Sequence, residues 1–318
     1  MLTANDIRGM YAIIPTPALP GADSWDTLST VNLPETSRLL NRLIDDGADG
    51  VIALGTTGEC ATLTQSEFQS LATCIVETVD GRIPTFIGAT ALGLHEVVAR
   101  LKYLKDLGAT GSLLGLPMWQ PLTTEMAVDY YATISEAFPN FPIMVYANAR
   151  AFRYNFPTEF WEQISKHAPT VVAAKVSNSR LLIENISASN NRINFVPSDM
   201  TAEEFFNLSP KTTTACWATA ASMGPAPCIK LMQAIELENS EEIKLRSGEI
   251  AWANEPIAQL IQQPELFASY NIQIEKVRIN AAGYCNAGPI RPPYAHLPSE
   301  YQLAAEECGR RWKSLCQK

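Results

Sequence analysis

Thr170-Val-Val-Ala-Ala-Lys-Val-Ser177 is a short apolar run interrupted by one lysine. A run that is apolar at successive positions, rather than alternate ones, is typical of a strand buried on both faces of a parallel sheet. An unpaired ammonium there is costly, so Lys175 must find a partner, lose its proton or take part in chemistry. A neutral amine attacks carbonyls, which makes Lys175 a candidate Schiff-base nucleophile. The alternative is a lysine at a strand end whose ammonium reaches solvent.

Other short apolar runs alternate with longer amphipathic segments from residue 10 to about residue 240, as expected for repeated βα units. The predicted strands cover 10–16, 50–55, 83–90, 111–117, 142–148, 171–177, 193–198 and 213–219. Helical periodicity marks segments between them, including 66–78, 94–107, 124–137 and 157–167. Eight parallel strands with helices between them close most simply into a (β/α)8 TIM barrel of the α/β class.

The main structural alternative is a doubly wound open sheet, which a glycine-rich phosphate fingerprint after the first strand would favour. Ile14-Pro-Thr-Pro17 stands there instead. Strand patterns stop near residue 240, and three helical segments follow at about 241–263, 271–285 and 299–316. We therefore predict a barrel domain over residues 1–240 and a C-terminal three-helix extension over residues 241–318.

Composition excludes several classes of function. The 318 residues carry a formal net charge of −9, which argues against binding nucleic acid or an anionic membrane. The N-terminus lacks a signal-peptide pattern and no apolar stretch could cross a bilayer, so we expect a cytoplasmic protein. Seven scattered cysteines predict reduced thiols, and three separated histidines predict neither a metal site nor a Ser-His-Asp triad.

Reactive groups of such barrels gather at the carboxyl ends of the strands. The second strand ends in Leu54-Gly-Thr-Thr-Gly-Glu-Cys60, whose tight turn offers the hydroxyls of Thr56 and Thr57 and exposed N–H groups for a carboxylate. A turn without a ligand is the alternative. The fifth strand ends in Val145-Tyr-Ala-Asn148, next to the strand that carries Lys175. Tyr146 could relay protons at an imine, with Thr56 as a further link, or could simply cap the barrel.

These motifs, in this order on eight βα units with a helical tail, resemble the dihydrodipicolinate synthase and N-acetylneuraminate lyase superfamily of class I, pyruvate-handling aldolases. Finer stretches are similar to the hydratase-aldolases that act on aromatic ylidenepyruvates. They are Ile14-Pro-Thr-Pro-Ala18, Thr57-Gly-Glu-Cys-Ala-Thr-Leu-Thr64, Pro117-Met-Trp119, Ala151-Phe152, Val172-Ala-Ala-Lys175 and Gly224-Pro-Ala-Pro227.

The resemblance implies a role for each matching residue. Lys175 would form the Schiff base with pyruvate, and Tyr146 would shuttle the proton with Thr56. Thr56, Thr57 and Gly58 would form the site of the pyruvate carboxylate, Trp119 would suit an aromatic aldehyde, and Asn148 would position a water or the substrate hydroxyl. The resemblance also implies catalysis through the lysine imine without a cofactor or metal, and a homotetramer built as a dimer of dimers.

Tyr146-Ala-Asn-Ala-Arg-Ala-Phe152 departs from the usual Tyr-Asp-Asn-Pro-Glu-Ala-Phe of the hydratase-aldolases. The synthases of lysine biosynthesis place a carboxylate-binding arginine where this chain has Ala151, which argues against that activity. Arg150 or Arg153 could substitute, or be surface charges. Two alternatives to an aromatic hydratase-aldolase stay open: a pyruvate aldolase or synthase for a sugar acid or aliphatic semialdehyde, and a non-catalytic pyruvate-binding regulator.

Overall fold

The computed structural model describes residues 1–317 and forms a barrel of parallel strands. Two four-stranded arcs, in the orders β3-β2-β1-β8 and β4-β5-β6-β7, are joined by single parallel bridges between Phe86 and Gly111 and between Ser198 and Trp217. The strands are β1 Gly9–Ile13, β2 Gly50–Ala53, β3 Thr85–Ile87, β4 Ser112–Leu114, β5 Ile143–Tyr146, β6 Val171–Lys175, β7 Asn194–Val196 and β8 Ala215–Ala218. The predicted TIM barrel is therefore confirmed.

Helices surround the barrel and continue into the C-terminal part. They are α1 Leu33–Asp45, α2 Gln65–Val79, α3 Leu94–Leu107, α4 Thr124–Ala137, α5 Ala149–Phe152, α6 Thr158–His167, α7 Leu182–Ala188, α8 Ala202–Leu208, α9 Ala226–Glu236, α10 Ser240–Asn254, α11 Ala258–Ile261, α12 Pro264–Ala282 and α13 Ser299–Leu315. Short 3₁₀ turns cover Ala4–Asp6, Ala220–Met223 and Glu255–Ile257.

Local sequence explains several helix ends. Thr64 and Glu67 form the predicted capping box, in which each side chain accepts a hydrogen bond from the other residue's backbone N–H. The Thr123 hydroxyl caps α4 by accepting from the N–H of Met126. Gly108 ends α3 with φ of 89°, a left-handed conformation that glycine adopts without steric cost.

The strands are shorter than predicted, mainly at their carboxyl ends. Residues 54–60, for example, leave the ladder after β2 and form a compact turn. Within this turn, the Glu59 N–H donates to the Thr56 carbonyl and the Cys60 N–H to the Gly55 carbonyl. In the extension, the predicted helix 241–263 is broken after Asn254, where Pro256 cannot continue the helical hydrogen bonding. The helix predicted at 271–285 begins earlier, at Pro264.

The C-terminal helices pack into the same apolar core as the barrel. Trp312 on α13 is fully buried, and its indole N–H donates to the Gly224 carbonyl at 2.9 Å. Ile279 on α12 belongs to the same cluster. The division of the chain after residue 240 remains a prediction. Within residues 1–317, no helix is long and apolar enough to cross a membrane.

Candidate active site

Lys175 and Tyr146 lie side by side at the carboxyl ends of β6 and β5. They are register partners in the parallel pairing of these strands, so both side chains leave the sheet at the same level and on the same face. The Lys175 Nζ lies 4.7 Å from the centre of the Tyr146 ring, and each residue is only 9% exposed. The structure therefore confirms the prediction that the Lys175 amine lies close to the Tyr146 side chain.

Burial changes the protonation of Lys175. Desolvation lowers the pKa of its ammonium to about 7 from an ordinary value of 10.5, although the carboxylate of Glu275 opposes the shift. With its ordinary pKa, only a few amines in ten thousand would be neutral at pH 7. With a pKa of about 7, roughly half of them are neutral, a gain on the order of 10³ in the form that attacks a carbonyl.

The Tyr146 hydroxyl is held by two polar side chains. It lies 2.9 Å from the Thr56 hydroxyl, and the Asn148 amide donates to it at 3.3 Å. Burial raises the pKa of Tyr146, and these two hydrogen bonds oppose the increase. The phenol therefore stays protonated at neutral pH and can pass its proton through Thr56. The edge of the Tyr146 ring meets Phe152 at 5.3 Å between ring centres.

The turn that carries Thr56 is tightly constrained. Leu54 and Glu59 both have positive φ values, and the Glu59 N–H donates to the Thr56 carbonyl at 2.9 Å. A Cβ on Gly58 would lie 2.7 Å from the Leu54 backbone nitrogen, so only glycine fits. The Gly58 carbonyl accepts from the Thr16 hydroxyl, and Thr57 is buried beside it. These contacts and the lack of space for a Cβ at Gly58 fix the conformation of the turn.

Trp217 is a neighbour of Lys175 that the sequence reasoning missed. The Lys175 Nζ lies 3.5 Å from the centre of the Trp217 ring, whose N–H donates to the Val176 carbonyl. An aromatic face stabilises a cation next to it, whether an ammonium or an iminium. One signal was available, since Trp217 is the only large side chain in the strand Ala215-Cys-Trp-Ala218.

Helix α12 also contributes to the surroundings of Lys175, which was not predicted. Glu275 is buried and pairs with Arg278, which also donates to Asn254 at 2.7 Å. Asp199 follows β7 along the chain, and burial raises the pKa of its carboxyl to about 6, while Arg278 opposes that shift. Charged residues among the isoleucines of α12 were the available signal.

Comparison with known proteins identifies the family. The profile of the dihydrodipicolinate synthetase family matches residues 20–308. This chain belongs to the dihydrodipicolinate synthetase family. The resemblance inferred from the motifs is thereby confirmed, and the doubly wound alternative is excluded.

Relatives of known activity match along the whole chain. Trans-O-hydroxybenzylidenepyruvate hydratase-aldolase of Pseudomonas putida is 38% identical, over 99% of this chain and 95% of its own. Trans-2'-carboxybenzalpyruvate hydratase-aldolase of Nocardioides sp. (strain KP7) is 34% identical, over 100% and 96%. A solved structure described as PhdJ bound to substrate intermediate is 35% identical, with a TM-score of 0.95 over 99% of this chain and 98% of that one.

The structure does not place Trp119 or the two nearby arginines next to Lys175 and Tyr146. Trp119 is 76% exposed, and its carbonyl accepts from Arg153 at 3.1 Å. Arg150 donates to the Pro264 carbonyl at 2.7 Å. Both arginines are exposed and donate hydrogen bonds to backbone carbonyls, so neither replaces a carboxylate-binding arginine in this arrangement. Among residues 1–317, no group of three or more His, Cys, Asp or Glu side chains could hold a metal ion.

Proposed function

We propose that this protein is a class I pyruvate aldolase of the hydratase-aldolase type, which cleaves or forms aromatic ylidenepyruvates through an imine on Lys175. The observation that carries the proposal is the buried amine of Lys175, whose pKa is lowered to about 7, beside the phenol of Tyr146. Full-length hydratase-aldolase relatives support the same reaction class.

In the degradative direction, the amine of Lys175 adds to the 2-oxo group and water leaves, which gives a protonated imine. This cation withdraws electrons from the conjugated alkene, so water adds across it and places a hydroxyl next to the aromatic ring. Loss of the hydroxyl proton breaks the carbon–carbon bond, releases the aromatic aldehyde and leaves an enamine. Protonation and hydrolysis of the enamine free pyruvate and regenerate the amine.

The neighbouring side chains take distinct roles in this proposal. Tyr146, linked to Thr56 at 2.9 Å, moves protons to and from the carbinolamine. Thr56, Thr57 and Gly58 hold the carboxylate at the turn after β2. Asn148 already donates to the Tyr146 hydroxyl, from where its amide can orient the attacking water or the substrate hydroxyl.

Aromatic surfaces near the amine favour an aromatic aldehyde over a sugar acid. Trp217 lies against Lys175 and Phe152 against Tyr146, whereas a hydroxyl-rich substrate needs several polar partners. We further propose that Trp119, exposed in the single chain, faces the aldehyde in a homotetramer built as a dimer of dimers. The chemistry of the imine requires no metal or organic cofactor, and we expect the protein to work in the cytoplasm.

Reductive trapping tests the proposal. Borohydride added with pyruvate should fix pyruvate to Lys175, located by mass spectrometry of the peptides. Lys175→Ala should abolish the adduct and the turnover, whereas Lys166→Ala, which removes an exposed lysine of α6, should leave both unchanged. Absence of an adduct on Lys175, or normal turnover of Lys175→Ala, contradicts the proposed function.

The aldehyde class requires a second measurement. Pyruvate should be incubated with aromatic aldehydes and, separately, with sugar-derived and aliphatic aldehydes, while the absorbance of the conjugated product is followed. Faster condensation with aromatic aldehydes is expected. Preference for the other aldehydes would favour a sugar-acid or semialdehyde aldolase, and an adduct without turnover on any aldehyde would favour a regulator.

A further inference from the structure

The short helix α5 begins just after Tyr146 and touches the side chain of that residue at two points. Asn148 caps the helix by accepting from the Ala151 N–H at 3.1 Å, and its amide donates to the Tyr146 hydroxyl at 3.3 Å. Phe152 ends the helix, and its ring meets the Tyr146 ring at 77° with 5.3 Å between the ring centres. The helix therefore contacts the phenol both at its hydroxyl and at its ring.

The tip of the Phe152 ring lies against Gly115, the residue that follows β4. A Cβ on Gly115 would collide with the Cζ and both Cε atoms of Phe152, so the ring occupies the space that any side chain would take. Gly115 does not have a positive φ, so the ring of Phe152, and not the backbone conformation, requires glycine there. Phe152 is only 3% exposed, which places this contact inside the core.

Gly115 is itself held by hydrogen bonds at both of its backbone groups. Its N–H donates to the Thr90 hydroxyl at 2.9 Å, and its carbonyl accepts from the Tyr130 hydroxyl at 3.2 Å. Tyr130 lies on α4 and is buried, so this second bond is anchored in the core. A change at the contact between Gly115 and Phe152 must therefore displace the Phe152 ring and the Tyr146 ring that it touches.

The orientation of the Tyr146 ring decides where its proton points. The Tyr146 oxygen lies 2.9 Å from the Thr56 hydroxyl and accepts from Asn148, so these two side chains fix the position of the oxygen. A phenolic O–H bond lies in the plane of its ring, because the oxygen is conjugated with the ring, so the ring plane sets the direction of the proton. Misplacing a reacting group by about 1 Å can cost on the order of 10² in rate.

We infer that Phe152, supported by Gly115, is a positioning residue that fixes the ring plane of Tyr146 and so aims the proton of the shuttle. The inference rests on the proposed function, in which Tyr146 moves protons at the carbinolamine on Lys175. Thr56 and Asn148 hold the oxygen of the phenol, and Phe152 sets the direction of its O–H bond. Phe152 acts on the substrate only through Tyr146.

Pyruvate alone is sufficient for the test. The imine on Lys175 loses a methyl proton to become an enamine and takes a deuteron back in heavy water, so released pyruvate gains deuterium, which proton NMR follows. Phe152→Leu keeps a buried apolar side chain but removes the ring that meets Tyr146. We expect the maximal exchange rate to fall about tenfold and the half-saturating pyruvate concentration to stay within about twofold, because the groups proposed to bind pyruvate are unchanged.

A double-mutant cycle separates positioning from packing. Tyr146→Phe has no hydroxyl to aim, so adding Phe152→Leu to it should change the remaining exchange rate by less than about twofold. A loss caused only by looser packing of the barrel would be about tenfold in that background as well.

Gly115→Ala is a second, independent variant. Its Cβ displaces the Phe152 ring, so the exchange rate should fall as in Phe152→Leu. Leucine at position 152 lacks the Cζ and Cε atoms with which that Cβ collides, so Gly115→Ala should cost little more when it is added to Phe152→Leu. The matched control is Phe138→Leu, which removes a buried ring that follows α4 and should leave exchange within about twofold.

Circular dichroism establishes that each variant folds, and Phe152→Met is compared in the same two backgrounds if Phe152→Leu does not. Exchange by Phe152→Leu within about twofold of the unmodified rate overturns the inference, and so does an equal loss with and without the Tyr146 hydroxyl. Normal exchange by Tyr146→Phe overturns it too. If the unmodified protein neither exchanges pyruvate nor forms an adduct on Lys175, the proposed function itself is contradicted.

Discussion

At the scale of single residues, the balance of charge around Lys175 sets the pH at which the amine can react. Its pKa of about 7 places the acid limb of imine formation near pH 7, because the rate rises as the ammonium loses its proton. Glu275 favours the ammonium, so Glu275→Gln should lower the pKa of Lys175. Arg278 would then lack its carboxylate partner, and its positive charge would also lower the pKa of Lys175. The acid limb should move below pH 7, as measured by the pH dependence of initial trapping rates.

Glu265→Gln is the matched control for this change, since Glu265 is exposed at the start of the same helix. Its pH profile should coincide with that of the unmodified protein. A shift of the Glu275→Gln limb to higher pH would show that Glu275 does not stabilise the ammonium.

The hydroxyl of Tyr146 should matter for rate more than for folding. Tyr146→Phe keeps the ring against Phe152 but removes the group that bonds Thr56 and Asn148. We expect turnover to fall by roughly 10² or more, because proton transfer then depends on water. Steady-state kinetics measure this, with Tyr154→Phe as the control for removing a hydroxyl elsewhere. Near-normal turnover of Tyr146→Phe would exclude it as the proton shuttle.

The approach of Lys175 to Tyr146 could be predicted from sequence because both residues stand at matching places in neighbouring strand patterns. The partners of Glu59 could not be predicted. Lys276 and Arg291 are 217 and 232 residues away along the chain, on a helix and a loop whose packing no local pattern specifies. Likewise, Trp119 follows the predicted strand, yet its side chain points to solvent in the single chain.

At the scale of elements, the turn after β2 depends on the missing side chain of Gly58. In Gly58→Ala the new Cβ meets the Leu54 backbone nitrogen, so the turn must shift. The Thr56 hydroxyl would then lose its alignment with Tyr146. We expect the half-saturating pyruvate concentration to rise at least about tenfold and stability to fall by about 1–3 kcal/mol.

The control for the turn is Gly93→Ala at the start of α3, where a Cβ meets no atom within 4 Å. Trapping titrations and urea unfolding compare the two variants. Equal, small effects in both would show that the turn is not constrained as described.

Strand positions were predictable because buried parallel strands are apolar at every position, as in the Val171–Lys175 strand. The carboxyl ends of the strands were not predictable, since the residues that follow, such as Ile14, Ala147 and Val176, are still apolar or small although the regular ladder has ended. Asn148 illustrates this difference, because it was placed within the predicted strand 142–148 and instead caps the short helix α5 by accepting from the Ala151 N–H.

At the scale of the whole molecule, the C-terminal part is joined to the barrel by both charge and apolar packing. Lys276 and Arg291 reach the turn after β2, and Trp312 bonds Gly224, which follows β8. The proposed division after residue 240 therefore marks a change of pattern along the chain. It does not require two parts that fold independently.

This coupling predicts how the molecule unfolds. Trp312→Ala removes a fully buried indole and its hydrogen bond, which should cost about 3–5 kcal/mol. Because α13 shares the barrel core, the urea midpoint of trapping competence at Lys175 should fall together with the midpoint of far-ultraviolet circular dichroism. Trp25→Ala, at a site 87% exposed, should move neither by more than about 0.5 kcal/mol. A different outcome is that Trp312→Ala lowers the urea midpoint of the dichroism but leaves the urea midpoint of trapping competence unchanged. The C-terminal helices would then unfold separately from the barrel, and the proposed coupling through α13 would be wrong.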